Sequence, residues 1–300
     1  MSRPVANLLL LCTGLIWGMA FIAQSTAMES MGPLQFVGLR FLLAAFVILP
    51  LLFWEAKRSN KSILKKNTLP SMLAVGLCFL LGSLLQQYGI ILTSVTNSGF
   101  LTAVYVVLTP ILALLMFRQH PHPLVWVASL ITLAGVYLLG GGSLTSLNMG
   151  DAYMLIGAVF WALQVILVGK LGAQTGRPIA IAFIQFLMVG CFATTISLFT
   201  EPISIAVLKS GWVELFFAGV CSGGIAFTLQ AFAQQYTKPA DAAIMLSSEA
   251  LFAALFAALL LGERIPPIGL IGCALIFLAI LMVEVLPHLI KKKAQAGYTS

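Results

Sequence analysis

No aspartate, glutamate, lysine or arginine interrupts residues 4–28, and none interrupts the long stretch from Asn67 to Phe117. A helix crosses a bilayer with about 20 apolar residues. Each of these runs reaches or exceeds that length, so both belong in hydrocarbon. The rest of the chain agrees. Only 8% of its 300 residues are charged and 60% are hydrophobic, with a mean hydropathy of +1.05. A soluble domain carries about 25% charged residues to face water, three times what is present here. The expected class is an all-α integral membrane protein.

Charges, prolines and glycine clusters divide the chain into ten candidate spans, near 4–28, 33–54, 70–92, 97–117, 123–139, 149–171, 178–200, 211–236, 240–261 and 266–286. The third and fourth share one uncharged stretch and are separated only by "TSVTNSG". The first, preceded by Arg3, exceeds the 7–15 residues of a signal-peptide core and is expected to stay as a helix. Alternate loops gather the basic residues. With the N-terminus inside, Arg3, Lys57, Arg58, Lys61, Lys65, Lys66, Arg118, Lys170, Arg177, Lys238 and the tail Lys291–Lys293 lie on the cytoplasmic side. Lys209 and Arg264 lie opposite. This bias predicts cytoplasmic termini and an even number of spans. The net charge of +7 therefore orients the chain in its lipid bilayer and forms no face for nucleic acid.

Shifting the chain by 144 residues lays Trp17 on Trp161, Gln86 on Gln230, Asn97 on Asp241, Ala113 on Ala257 and Pro123 on Pro267. One ungapped offset holding across five spans marks a duplication. Each copy has an odd number of spans, so the second enters the membrane from the opposite side. The expected domains are residues 1–144 and 145–290, two inverted five-helix repeats, followed by a basic tail at 291–300. Secondary transporters of this plan bind substrate near the midplane between repeats.

The segments "LIWGMAFIA", "PLQFVGLRFLLAA", "TSVTNSGFLTAVYVVLTPILALL" and "KPADAAIMLSSEALFAALFAALLLGER" resemble those of EamA-type members of the drug/metabolite transporter superfamily, over nearly the whole chain. The resemblance implies an exporter or exchanger of amino acids, other small metabolites or drugs, in a bacterial inner membrane. The chain departs from the family pattern at "MFRQHP", where a Gly-Glu pair like Gly262–Glu263 is common, and at Ala250, where a proline follows the glutamate.

Within the spans, polar side chains are costly against lipid and turn toward the bundle interior or a cavity. Arg40 lies about seven residues into the second span, roughly 10 Å deep, and Glu249 about nine residues into the ninth, roughly 13 Å from the other side. In a core of about 30 Å these depths nearly meet. Three readings stay open: Arg40 shares a substrate site with Glu249, forms a structural lock with it, or snorkels to the headgroups. Tyr105 is the repeat mate of Glu249. Trp17 and Trp161 sit at mid-depth, Gln164 is one turn from Trp161, and Gln86 and Gln230 point toward opposite access paths or bond neighbouring helices. Arg40, Glu249, Trp17, Trp161, Tyr105, Gln164, Gln86 and Gln230 are the candidate substrate-binding residues. A desolvated Glu249 is also the candidate carrier of a coupled proton, whereas with Arg40 close to it facilitated diffusion or exchange is the expectation. Gly14–Gly18, Gly219–Gly223 and the alanines after Glu249 are read as packing stripes.

Other classes find less support. No H-E-x-x-H, G-x-S-x-G, paired-aspartate or phosphate-cradling motif is present, so neither an enzyme nor direct ATP use is expected. No motif calls for a cofactor. Five scattered cysteines form no C-x-x-C pair, and His120 and His122 in "RQHPHP" read as a turn and not a metal site. The functional expectation is a secondary transporter of small metabolites, with a multidrug-type efflux carrier as the alternative and a membrane-embedded enzyme as a remote third.

Overall fold

The computed structural model describes residues 1–59, 68–142, 148–202 and 204–296, with side chains through residue 285. Among these residues there are helices and no strands. The ten apolar segments form α1 (Arg3–Thr26), α2 (Pro33–Arg58), α3 (Leu69–Leu92), α4 (Val95–Phe117), α5 (Pro123–Leu139), α6 (Met149–Thr175), α7 (Pro178–Thr200), α8 (Trp212–Ala233), α9 (Pro239–Leu260) and α10 (Pro267–Ala296). Nine of them are long and apolar enough to cross a membrane. The 17-residue α5 is shorter than the usual span of about 20. The basic residues Lys61, Lys65 and Lys66 and the loop residue Ser146 lie outside the described residues. The stretch expected as a basic tail begins as helix, because α10 runs on to Ala296.

Proline starts most of these helices. It occupies the first turn of α1, α2, α3, α5, α7 and α9, where its missing N–H is unneeded and its fixed φ suits the helix. Arg118 (φ 51°) and Gly176 (φ 64°) close α4 and α6 in the left-handed conformation. His122 is the N-cap of α5, its Nδ1 accepting from Leu124 N (3.2 Å).

Three of the spans are irregular. The ladder of α4 is interrupted at Ala103–Val104, and that of α9 at Ser247. These positions are separated by the 144-residue repeat offset. At both breaks a bond reaches three residues back, as in Val106 N to Ala103 O (3.0 Å) and Ala250 N to Ser247 O (3.1 Å). In α8, Phe217–Phe227 is a π-helix, a form usually confined to single turns and found near functional sites.

Lipid offers no hydrophobic drive between helices, so they associate by close packing. α2 packs along α7, α3 along α6, α5 along α10, and α1 against α9. Gly14 and Gly18 of α1 let that helix approach Ser248, Phe252 and Ala253 of α9. Ala250, Ala253, Ala254 and Ala257 of α9 are buried. The outward face is apolar, with Phe46, Leu115 and Phe199 well exposed.

A Cβ on Gly18 would lie 2.7 Å from Ala253 N. Gly18→Ala is therefore expected to cost about 1–3 kcal/mol by overpacking. Thermal unfolding of the detergent-solubilised protein measures this, and an unchanged transition would contradict the contact.

Candidate functional site

The breaks in α4 and α9 set Tyr105 and Glu249 at the starts of the continuing helices, facing the centre of the bundle. There they meet residues from α1, α2, α3, α6 and α8 around one cavity, lined by all eight residues singled out from the sequence: Trp17, Arg40, Gln86, Tyr105, Trp161, Gln164, Gln230 and Glu249. Gln24, Thr102, Ser222 and Phe227 complete much of the wall. The cavity itself is small, about 40 Å³. A metabolite-sized molecule fits only after lining groups move.

Arg40 is 4% exposed and does not reach the outer surface of the bundle. Its guanidinium carbon lies 5.2 Å from the ring centre of Phe36 and 4.7 Å from that of Phe41. Such cation–π contacts offset part of the burial cost, of order 0.5–2 kcal/mol each. Nε has no hydrogen-bond partner. The direct Arg40–Glu249 ion pair allowed by their depths does not form. The ion pairs among the described residues are Arg3–Asp241 (2.9 Å) and Arg177–Glu55 (3.0 Å). Glu249 is 3% exposed, with Oε1 unpartnered. The Tyr105 hydroxyl interacts with this carboxyl, although their geometry falls short of a formed hydrogen bond.

The amides form two groups. Gln164 and Gln230 bond reciprocally, Nε2 of each donating to Oε1 of the other at 3.4 and 3.1 Å, and Gln164 also donates to Gln185 Oε1 (2.9 Å). Gln86 instead donates to Gln24 Oε1 (3.2 Å), and Gln24 donates to Ala20 O (3.1 Å). Trp17 Nε1 donates to Ser222 O (3.4 Å), a carbonyl of the π-helical stretch, while Trp161 Nε1 has no partner. Phe227 stands between the two indoles, 4.4 Å from Trp17 and 6.0 Å from Trp161 by ring centres. Behind it Phe41, Phe79 and Phe186 form an aromatic floor. Gln24 was findable as an amide in a charge-free run. Nothing distinguishes the four phenylalanines from the other sixteen in sequence.

The sequence profile of the EamA-like transporter family matches twice, over residues 4–141 and 148–285. The chain belongs to this family. An uncharacterized transporter of Archaeoglobus fulgidus is 32% identical to this EamA chain over 287 residues, covering 94% of it and 87% of the relative. The Bacillus subtilis uncharacterized transporter YwfM is 26% identical, with both chains fully covered. The Escherichia coli K12 uncharacterized inner membrane transporter YedA is 25% identical, covering 93% of this chain and 90% of its own. A crystal structure matches with a TM-score of 0.75 at 15% identity, over 95% of this chain and 98% of that one, which shows a shared fold. This EamA chain is an integral membrane protein, and its relatives carry the name of transporters.

A buried cation without a counter-charge is a liability for folding alone. Arg40→Met is therefore expected to leave the unfolding temperature unchanged or raise it, as removal of strained functional groups often does. A drop of several degrees in a thermal melt would mean that Arg40 is a structural residue.

Proposed function

We propose that the chain is a secondary transporter which exports or exchanges small amphipathic metabolites bearing a carboxylate, by alternating access around the Arg40 cavity. The observation that carries this reading is the arginine itself: a guanidinium turned into a shared cavity, stacked on phenyl rings, with no anion of the protein bonded to it. Its flat fork suits a carboxylate held by two hydrogen bonds. The indoles of Trp17 and Trp161 and the ring of Phe227 suit an apolar body, and Gln86, Gln164 and Gln230 supply adaptable polar contacts. Glu249, beside Tyr105 and in no ion pair, is the group proposed to carry a proton in exchange for substrate.

The proposed architecture is ten spans in two inverted repeats, residues 1–144 and 145–290, with α5 counted as the tenth span. The two family matches support it, as do the helix breaks one offset apart and the packing of α1 on α8 and α9, which parallels that of α6 on α3 and α4. The basic asymmetry of the loops supports cytoplasmic termini, and the inner-membrane relative supports the same location for this chain. Reporter fusions after Ser146 and after Lys293 are expected to report opposite sides of the membrane, and matching reports would overturn the inversion.

The decisive measurement is uptake of a panel of radiolabelled amino acids, other carboxylates and neutral or cationic drugs into proteoliposomes. Carboxylate-bearing compounds are expected to move, and Arg40→Gln and Arg40→Lys to lose at least tenfold of that flux at normal protein abundance, since an ammonium cannot replace the fork. Movement of cationic drugs alone, indifferent to Arg40, would favour the multidrug reading instead.

A further inference from the structure

Two glutamates outside the cavity lining have no role in the proposed binding site, yet they are placed with unusual reciprocity. At one end of the bundle Glu201, just past α7, accepts from the first free amides of α2: Leu34 N to Oε1 (2.9 Å) and Gln35 N to Oε2 (2.7 Å). At the other end Glu55, near the end of α2, accepts from the first free amides of α7: Ile179 N to Oε1 (2.9 Å) and Ala180 N to Oε2 (3.1 Å). Arg177 Nε completes the second site at 3.0 Å from Glu55 Oε2. Glu55 and Arg177 are each 7% exposed.

A helix N-terminus leaves backbone N–H groups unpaired and carries partial positive charge, so a carboxylate there is held by charge-assisted bonds. Normally the helix supplies its own cap. Here Gly32 and Arg177, the N-cap residues, make no side-chain cap bond, and each helix is capped by the other. Gly32 has no side chain where the Glu201 carboxylate sits, and a Cβ there would collide with it. Between the two ends the helices are also in close contact. A Cβ on Gly38 would lie 2.5 Å from Thr194 N, and one on Gly190 2.9 Å from Leu42 N. Phe41 stacks on Phe186 with ring centres 5.8 Å apart. Splaying α2 from α7 at either end would strand a carboxylate and two amides together.

We infer that Glu55 and Glu201 are positioning residues that clamp α2 and α7 into one rigid body throughout the transport cycle, so that Arg40 stands on the fixed wall of the cavity and access alternates by movement of the helices opposite. This rests on the alternating-access reading above but adds to it which helices stay together. The contrary possibility is that the two capped ends are gates, opened in turn.

The experiment replaces the outer clamp by a covalent one. In a background lacking Cys12, Cys78, Cys191, Cys221 and Cys273, Gly32→Cys and Glu201→Cys are combined, and flux of the best-transported panel compound is measured in proteoliposomes before and after oxidation. Flux of the cysteine-free parent reports on the transport reading itself, and the oxidised-to-reduced ratio of the pair reports on the clamp. The reduced pair, which lacks the cap, is expected to transport at least threefold more slowly than the parent at equal abundance. Oxidation is expected to restore the flux to at least half that of the parent. A further loss on oxidation, reversed by dithiothreitol, would show that the ends must part and would overturn the clamp. Should this pair fail to reach the membrane, Glu55→Cys with Arg177→Cys, joined by a bifunctional thiol reagent, is read in the same way.

Discussion

The cost of an unmatched charge in a medium without water governs how this molecule is arranged. Where charge serves stability, it is matched. Glu55 meets Arg177 and two helix amides, Glu201 meets two more, and Arg3 meets Asp241. All of these sit at the ends of helices. The two unmatched charge-bearing side chains of the central cavity, Arg40 and Glu249, lie instead between the ends and face one space. The protein bears their desolvation without a direct pair, and aromatic rings beneath Arg40 recover only part of it. This contrast between the paired ends of α2, α7 and α9 and the unpaired centre separates scaffold from site.

Much of this was legible in the sequence because the hydrocarbon restricts what a polar residue can do. Charge-free runs marked the helices, and a mid-span arginine, glutamate, tryptophan or glutamine had few places to point other than inward. The repeat offset then tied Tyr105 to Glu249 and Gln86 to Gln230. What the offset did not reveal has a physical reason. The two capping glutamates are 146 positions apart, not 144, and Glu55 reads simply as the end of an apolar run. The π-helix of α8 and the breaks in α4 and α9 depend on tertiary packing, with no proline at the break positions themselves. Depth matching left a direct Arg40–Glu249 pair open alongside a shared cavity, because depth does not fix lateral separation around a cavity.

The irregular backbone is concentrated where it serves the cavity. The breaks at Ala103–Val104 and Ser247 turn Tyr105 and Glu249 inward, and the π-helical stretch offers Ser222 O to the Trp17 indole. Backbone irregularity at membrane depth is tolerated where it is buried in protein or lines a cavity. By contrast, α2 and α7 are regular from end to end, apart from the accommodated Pro50 of α2.

The crossed caps also bear on biosynthesis. Leu34 and Glu201 are separated by 167 positions. At about 5–20 residues per second, roughly 8–33 s pass between synthesis of one and of the other. Through that interval the first turn of α2 must remain hydrated at the membrane surface, because the carboxylate that will seal it has not been made. The first half of the chain thus cannot reach its final satisfied state alone. Each of the two family-matched halves supplies the carboxylate that caps a helix of the other, so neither half is saturated by its own residues.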